Sequence, residues 1–414
     1  MQKLKYRSET SYVFGLILER LMYLCIFITV FIDTLFDSYF PTSYTGSILP
    51  IVSIITLIYI IIFFFCSFFP LRINGYSVSR MLVCLVSLIF FWISYHTCEN
   101  MTLLKIFLIA ISTQALNYQR LVKTFFYGNL FGILFVVTLN KVGLIRENTF
   151  YRDDAIRHSL GFLNPNTLAF HILVLAIAFF VLRKQIHNIV DIIVLLALLI
   201  FTYRVTNSNT TSLVLALLLA FSFIPYASKE LEEKESFFYK IFKGFLVILA
   251  IIAVGFTIYT IRNFNSNSIV FKLGTTFYQR FTLSITALQR YSIRPFGNKI
   301  QFYTNSYLEM HPFSLHEHFT IDNGYVFTLL LYGLVPSVIL LIITVLSIKN
   351  ASRVRFYEVL IMISLIFIYS IAETGFMNNT CGIFAFCFAF CDPIRNSRFI
   401  HKDRVKVRIA LPET

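Results

Sequence analysis

The chain has 414 residues, of which 57% are hydrophobic and only 14% are charged, and its formal net charge is +14. A soluble domain usually has about 45–50% apolar and about 25% charged residues, so this composition excludes an ordinary soluble protein. Apolar stretches of about 20 residues recur along the whole length, and a stretch of this length crosses a bilayer as a helix. The sequence therefore predicts an all-α polytopic membrane protein with a single integral membrane domain over residues 1–414.

About twelve membrane spans are predicted in chain order. Their bounds are 14–37, 46–69, 81–96, 102–117, 124–140, 164–182, 189–204, 210–226, 242–261, 323–346, 357–373 and 379–393. Lys and Arg are concentrated near the N-terminus, in every second connection and in the tail at 394–414. The positive-inside rule places these parts and both termini in the cytoplasm. A basic outer loop at 141–160 and a large extracytoplasmic loop at 262–322, between spans nine and ten, then lie on the opposite side.

The large loop carries basic residues on the side where short loops normally avoid them, which favours an anionic ligand. Arg280, Arg290 and Arg294 lie in a stretch with rough helical spacing. A guanidinium gives a diphosphate two parallel hydrogen bonds and keeps its charge at any pH. The simpler alternative is a helix that lies flat on the membrane surface and anchors to lipid headgroups.

The end of the large loop gathers His316, His318, Asp322 and Asn323 just before span ten. A histidine or a carboxylate there is suited to remove the proton of a sugar hydroxyl. As an alternative, Asp322 and Asn323 simply cap the helix, since both residue types favour that position. A metal site is not expected, because the His-Glu-His order lacks the spacing of zinc-binding helices.

The first basic outer loop re-enters the membrane as span six through the sequence RHSLGFLNPN. Arg157 is a candidate for contact with a phosphate, and Asn166 either caps the helix or binds a sugar hydroxyl. Asn164 precedes a proline, which is typical of a turn that starts a helix. Arg204 is the only charge in the polar turn between spans seven and eight. Ordinary helix starts and capped turns are the simpler alternative for these segments.

The predicted spans hold few charges, and Glu19, Arg20 and Glu373 lie near span ends. An ion-coupled transporter usually carries ionisable residues at mid-membrane, so this scarcity weighs against a pump-like mechanism. The basic residues sit in short loops and one tail, which favours contact with anionic membrane lipids and not with nucleic acid. The seven cysteines form no metal-binding or disulfide pattern, and no nucleotide-binding motif is present, so no cofactor is expected.

Four segments in this order resemble the O-antigen polymerase and ligase superfamily, most closely the Wzy-type capsule polymerases. RHSLGFLNPNTLAF is similar to the family's Gly-Phe-x-x-Pro-Asn element, TNSNTTSLVLALLLA to its Ser-Arg-Thr element, YQRFTLSITAL with RPFGNKI to its Arg-led outer helix and Pro-x-Gly turn, and IDNGYVFTLLLYGLVP to the entry of the span after the large loop. The resemblance covers about residues 150 to 345. In two departures, Asn209 replaces an arginine of many relatives, and Asp322 replaces the histidine of the ligases, which favours a polymerase.

The resemblance implies a metal-independent glycosyltransferase on the outer face of the bacterial cytoplasmic membrane. Its donor is a growing glycan on undecaprenyl diphosphate, and its acceptor is a second lipid-linked repeat unit. Arg280 is the first candidate to stabilise the leaving diphosphate, followed by Arg157 and Arg290. A flippase and a chain-length regulator of the same pathway are implied partners.

Proton removal from the acceptor hydroxyl is assigned to His318, His316 or Asp322. The remaining candidates for binding the diphosphate or the sugars are Arg294, Arg204, Asn164, Asn166 and Asn323. Two other functions stay open. One is the transfer of finished glycan to a different acceptor by a ligase, and the other is the transport of lipid-linked oligosaccharide by a flippase.

Overall fold

The computed structural model describes residues 2–40, 48–68, 78–113, 116–152, 155–183, 189–227, 237–263, 275–304, 318–353, 356–379 and 384–390. His316 and the tail at 394–414 lie outside these residues, so the predictions for them stay predictions. Most of the described chain is helical, as predicted. The α-helices are α1 (Gln2–Phe36), α2 (Ile48–Phe68), α3 (Val78–Cys98), α4 (Thr102–Ser112), α5 (Tyr118–Lys141), α6 (Pro165–Arg183), α7 (Ile189–Phe201), α8 (Asn209–Ala227), α9 (Phe237–Arg262), α10 (Thr275–Arg290), α11 (Gly324–Phe327), α12 (Leu334–Arg353), α13 (Tyr357–Tyr369), α14 (Gly375–Asn378) and α15 (Phe384–Cys387).

Six helices in the described part of the chain are long and apolar enough to cross a membrane. They are Met81–Cys98, Tyr118–Lys141, Pro165–Arg183, Ile189–Thr206, Gly244–Arg262 and Leu334–Arg353. These six agree with predicted spans three, five, six, seven, nine and ten, as expected for a multi-pass membrane protein. Four shorter apolar helices lie within predicted spans two, four, eight and eleven. The total of twelve spans remains a prediction.

Helix α6 is the most deeply buried of the six long apolar helices. Of the residues in its most apolar part, 78% are buried in the protein, whereas 39% or less are buried in each of the other five helices. A helix that is apolar on all sides is stable only when other helices surround it, and α6 packs against α5, α8 and α13. Its start at Pro165 follows a proper cap, since the side chain of Asn164 accepts a hydrogen bond of 2.8 Å from the backbone N–H of Asn166.

The outer loop at 141–160 contains a β-hairpin, so the prediction of an all-α fold is wrong for this segment. Strand β1 (Thr149–Arg152) pairs antiparallel with strand β2 (Ala155–His158), and Phe150 lies opposite Arg157. Thr, Phe, Tyr and Ile in the two strands are residue types that favour extended backbone. The hydropathy pattern identifies apolar helices only, and therefore gave no indication of this short pairing between polar segments.

Predicted span ten is interrupted, whereas the sequence pattern indicated one continuous helix over 323–346. Helix α11 continues as a π-helix, π2 (Thr328–Tyr332), which ends at Gly333 with a φ of 97° before α12 begins. The side chain of Asn323 caps α11 by accepting from two backbone N–H groups, and its amide donates to the carbonyl of Ile371 at 2.7 Å. A second π-helix, π1 (Thr202–Thr206), follows α7. At the ends of the two π-helices, backbone carbonyl groups are free of the regular helical hydrogen bonds and accept from other segments, as Leu331 does from the N–H of Asn298.

Candidate functional site

Arg280 lies on the buried face of α10, and its guanidinium is enclosed by the protein. Only 7% of the residue is exposed. Its Nη2 atom forms an ion pair of 2.7 Å with Oε1 of Glu373, and its Nη1 donates to the backbone oxygen of Ala372. Ser284 and Ala287 follow at intervals of four and three residues and are also buried, so the helical period turns this face of α10 inward.

Arg157 is the second nearly buried arginine, with 7% of the residue exposed. Its Nε donates to the backbone oxygen of Thr206 at 2.8 Å, and its Nη2 donates to Oδ1 of Asn166 at 2.6 Å. The carbonyl of Thr206 is available because the helix ends here, where Asn207 takes a left-handed conformation with a φ of 44°. The guanidinium of Arg157 is thus carried by strand β2 and fixed by hydrogen bonds to π1 and to the start of α6.

The two arginines share an electrostatic environment at one end of the helix bundle. Glu373 is influenced by the charges of Arg280, Asp322 and Arg157. These four residues, which we call the arginine cluster, combine two cationic and two carboxyl groups from distant parts of the chain. The cluster brings together three of the residues predicted from the sequence and adds Glu373, which the sequence pattern indicated only as a charge near a span end.

The charges within the arginine cluster differ in how readily they change. Burial lowers the pKa of Arg280, but Glu373 and Asp322 raise it more, so this pKa lies above its ordinary value. Burial raises the pKa of Glu373 above its ordinary value although Arg280 acts in the opposite direction. Arg280 therefore stays positive at any pH, while Glu373 holds its proton to a higher pH than an ordinary glutamate. A protonated Glu373 leaves the guanidinium of Arg280 without its ionic partner.

The other predicted arginines have exposed side chains and are not gathered into the arginine cluster. The guanidinium of Arg290 stacks 5.0 Å from the ring centre of Phe319. Arg294 uses its backbone oxygen to accept from the N–H of Leu334 at 3.0 Å. Arg204 lies on π1. Their roles in binding a diphosphate stay predictions.

The predicted proton acceptors have different surroundings. His318 is exposed, while Asp322 is partly buried and accepts a hydrogen bond of 3.1 Å from the hydroxyl of Thr320. The side-chain oxygens of Asn164 and Asn323 are occupied as helix caps, as the simpler alternative predicted. In the described residues, no group of three His, Cys, Asp or Glu side chains is placed to hold a metal ion.

The apolar helices also contain a polar pair that sequence analysis missed. His171 of α6 is fully buried, and its Nε2 lies 3.0 Å from Oδ2 of Asp37, the residue after α1. The side-chain amide of Asn379 donates to the same carboxylate oxygen. One turn earlier on α1, Oδ1 of Asp33 lies 3.8 Å from Nζ of Lys105. Sequence analysis named Glu19, Arg20 and Glu373 as the charges near span ends and overlooked Asp33 and Lys105, although ionisable residues in apolar segments were the available signal.

No family model, curated protein or solved structure matches this chain. The fold defines a mostly helical protein, and six helices among the residues that the structure describes are long and apolar enough to cross a membrane. Its candidate site contains two nearly buried guanidiniums, of which Arg280 is paired with Glu373 and Arg157 with Asn166.

Proposed function

We propose that the chain is a glycosyltransferase that polymerises undecaprenyl-diphosphate-linked repeat units into a capsular, O-antigen or extracellular polysaccharide at the outer face of the bacterial cytoplasmic membrane. The growing glycan moves from its diphosphate carrier to the non-reducing-end hydroxyl of an incoming repeat unit. The observation that carries the proposal is the placement of Arg157 and Arg280, both nearly buried and both close enough to act on Glu373.

The chemistry requires stabilisation of a leaving diphosphate, because negative charge develops on it as the bond from the sugar to the phosphate oxygen breaks. Fixed guanidiniums in a water-poor site stabilise such charge without reorganisation during the reaction. Arg157 is fixed in advance by Thr206 and Asn166. Arg280 exchanges its contact with Glu373 for a phosphate oxygen when the carrier binds.

An apolar cavity next to α10 supports a lipid-linked substrate. This cavity of about 460 Å³ lies between α9, α10, α12 and α13. Leu288 of α10 lines it together with aliphatic side chains of α9 and α12, and Arg262 is also part of its lining. An isoprenoid tail is stabilised by such a lining, while a basic side chain at the same cavity favours a negatively charged headgroup.

The test is a glycan ladder from cells that lack this chain and are complemented with wild type, Arg280→Ala or Arg280→Lys. We expect wild type to restore polymer and Arg280→Ala to leave single repeat units, with normal amounts of protein in the membrane. Arg280→Lys should restore little polymer, because the ammonium group of lysine cannot form the two parallel hydrogen bonds of a planar guanidinium. The control is Lys299→Ala, which removes an exposed cation whose Nζ lies 2.6 Å from Oε1 of Glu99 and should leave the ladder unchanged.

A flippase is the second candidate, favoured by the Asp37–His171 pair at the end of α1 and the Asp33–Lys105 pair between α1 and α4. The same ladder separates the candidates. Full polymer with Arg280→Ala overturns the role of this arginine. Loss of all surface glycan with Arg280→Ala favours the flippase, and long chains that stay on the carrier lipid favour a ligase.

A further inference from the structure

Asp37 and His171 form a hydrogen-bonded pair with unequal exposure. The side chain of His171 is fully buried, whereas 30% of the side chain of Asp37 is exposed. The Nε2–Oδ2 distance is 3.0 Å, and Asn379 donates a further hydrogen bond to Oδ2. The carboxylate is therefore held from the protein side and remains accessible to a small group from outside.

The hydrogen-bond partners of His171 determine how many protons the pair holds. The amide nitrogen of Asn129 donates to the backbone oxygen of His171 at 2.8 Å, so its Oδ1 is the acceptor of the 2.7 Å contact with Nδ1. Nδ1 must then carry a hydrogen, and the contact between Nε2 and Asp37 needs one more proton. The pair is either an imidazolium with a carboxylate or an imidazole with a carboxylic acid. In the first form the positive charge of the buried His171 compensates the negative charge of Asp37.

The pair contacts two segments that also hold the partners of the buried arginines. The backbone oxygen of Asp37 accepts from Leu163 at 3.0 Å, three residues before Asn166, which contacts Arg157. On the other side, Asn379 is six residues after Glu373, the partner of Arg280. The partly exposed carboxylate is thus held between the segment that leads to Asn166 and the segment that follows Glu373.

We propose that Asp37 is the catalytic base of the glycosyl transfer and that His171 and Asn379 are its positioning residues. The inference rests on the proposed function. As the acceptor hydroxyl oxygen forms its bond to the anomeric carbon of the donor, the bond from this carbon to the diphosphate oxygen breaks. The hydroxyl proton passes to the carboxylate of Asp37, and the electron pair of the broken bond leaves with the diphosphate towards Arg157 and Arg280. Asp37 then releases the proton to water through its exposed edge.

Other titratable groups surround the pair and belong to any account of its pH dependence. In the described part of the chain, Asp33 and Tyr39 lie four residues before and two residues after Asp37, and their own partners are Lys105 on α4 and Arg146 before β1. Lys105 is engaged with Asp33, and the guanidinium of Arg146 stacks 4.3 Å from the ring centre of Tyr39.

The experiment uses the full chain in lipid vesicles with single lipid-linked repeat units extracted from cells that lack it. Two quantities are measured, the rate of glycan transfer against pH and the binding of undecaprenyl diphosphate. We expect Asp37→Asn to lower the transfer rate by about 10²–10⁴-fold, as for loss of a general base. Its binding of undecaprenyl diphosphate should be unchanged.

Asp33→Asn is the comparison, because it removes a carboxylate one helical turn earlier, which is engaged with Lys105, and it should keep the wild-type transfer rate. Asp37→Glu retains a carboxylate and should recover part of the rate, which separates loss of the base from loss of the fold. A wild-type rate for Asp37→Asn, or loss of its undecaprenyl diphosphate binding, overturns the inference while the proposed function stands. A wild-type protein that transfers nothing overturns the proposed function itself.

Discussion

The backbone of Gly297 packs against the backbone of Gly333 so closely that neither position has room for a side chain. A Cβ atom on Gly297 would lie 1.9 Å from the backbone oxygen of Leu331, and one on Gly333 would lie 2.3 Å from the nitrogen of Gly297. Both glycines have a positive φ, 87° and 97°. This contact joins the turn after α10 to the break before α12 and so fixes the helix that carries Arg280.

We expect Gly297→Ala to destabilise the protein by more than the roughly 1–2 kcal/mol of a left-handed backbone conformation, because backbone atoms block the new methyl group. Thermal unfolding in detergent measures the change. The control is Gly255→Ala in α9, where no heavy atom lies within 4 Å of a new Cβ. Alanine in an open helical position should be neutral or stabilise by about 0.5–1 kcal/mol. Equal unfolding temperatures for the two variants would contradict the close contact.

Asn164 and Asn166 lie two residues apart but have different hydrogen-bond partners. We therefore expect substitution of one to reduce stability and substitution of the other to reduce activity. Asn166→Ala removes the oxygen that holds Nη2 of Arg157, so we expect less polymer with little change in unfolding. Asn164→Ala removes a helix cap, and we expect a loss of about 0.5–2 kcal/mol in stability with polymer retained. The measurements are the glycan ladder and thermal unfolding of each variant. The reverse pattern would remove Asn166 from the support of Arg157.

The raised pKa of Glu373 predicts that its contribution to the free energy of unfolding decreases as the pH rises. Its pKa is above the ordinary value in the folded protein, mainly through burial, so the folded chain binds this proton more tightly than the unfolded chain. The associated stabilisation is complete below the ordinary pKa of a glutamate and is lost as the pH rises through the folded value. Unfolding temperature measured against pH should show this fall in wild type.

Glu373→Gln should remove this contribution, because an amide does not titrate. Glu99→Gln is the comparison, since it changes an exposed glutamate and should follow the wild-type curve. If Glu373→Gln retains the full pH dependence of wild type, another group causes it.

Local sequence signals predicted several parts of this structure correctly. The helix starts at Asn164 and Asn323 follow from residue types whose side chains bond to the backbone of the next turn. Six spans follow from hydropathy, because a bilayer-length apolar helix is visible within one stretch of sequence. The choice of Arg157 and Arg280 came from their position in polar segments beside spans, and the structure places both at one end of the bundle.

Long-range partners could not be predicted in the same way. Asp37 and His171 are 134 residues apart, and nothing in either local sequence identifies the other as its partner. Glu373 likewise reaches Arg280 only because α10 lies against the turn that follows α13. The interruption at Gly333 depends on the approach of Gly297, so a single apolar stretch was interpreted as a continuous helix.

The ion pair between Arg280 and Glu373 supplies the guanidinium with a resting counter-ion from its own chain. Small anions such as chloride then gain little by entering, because they must displace a tethered carboxylate and offer only one charge. Under the proposed function, a diphosphate would compete better, because it offers more charge and several oxygens. The carboxylate of Glu373 would still be beside the guanidinium after transfer and would take its place again, which would favour release of the spent carrier.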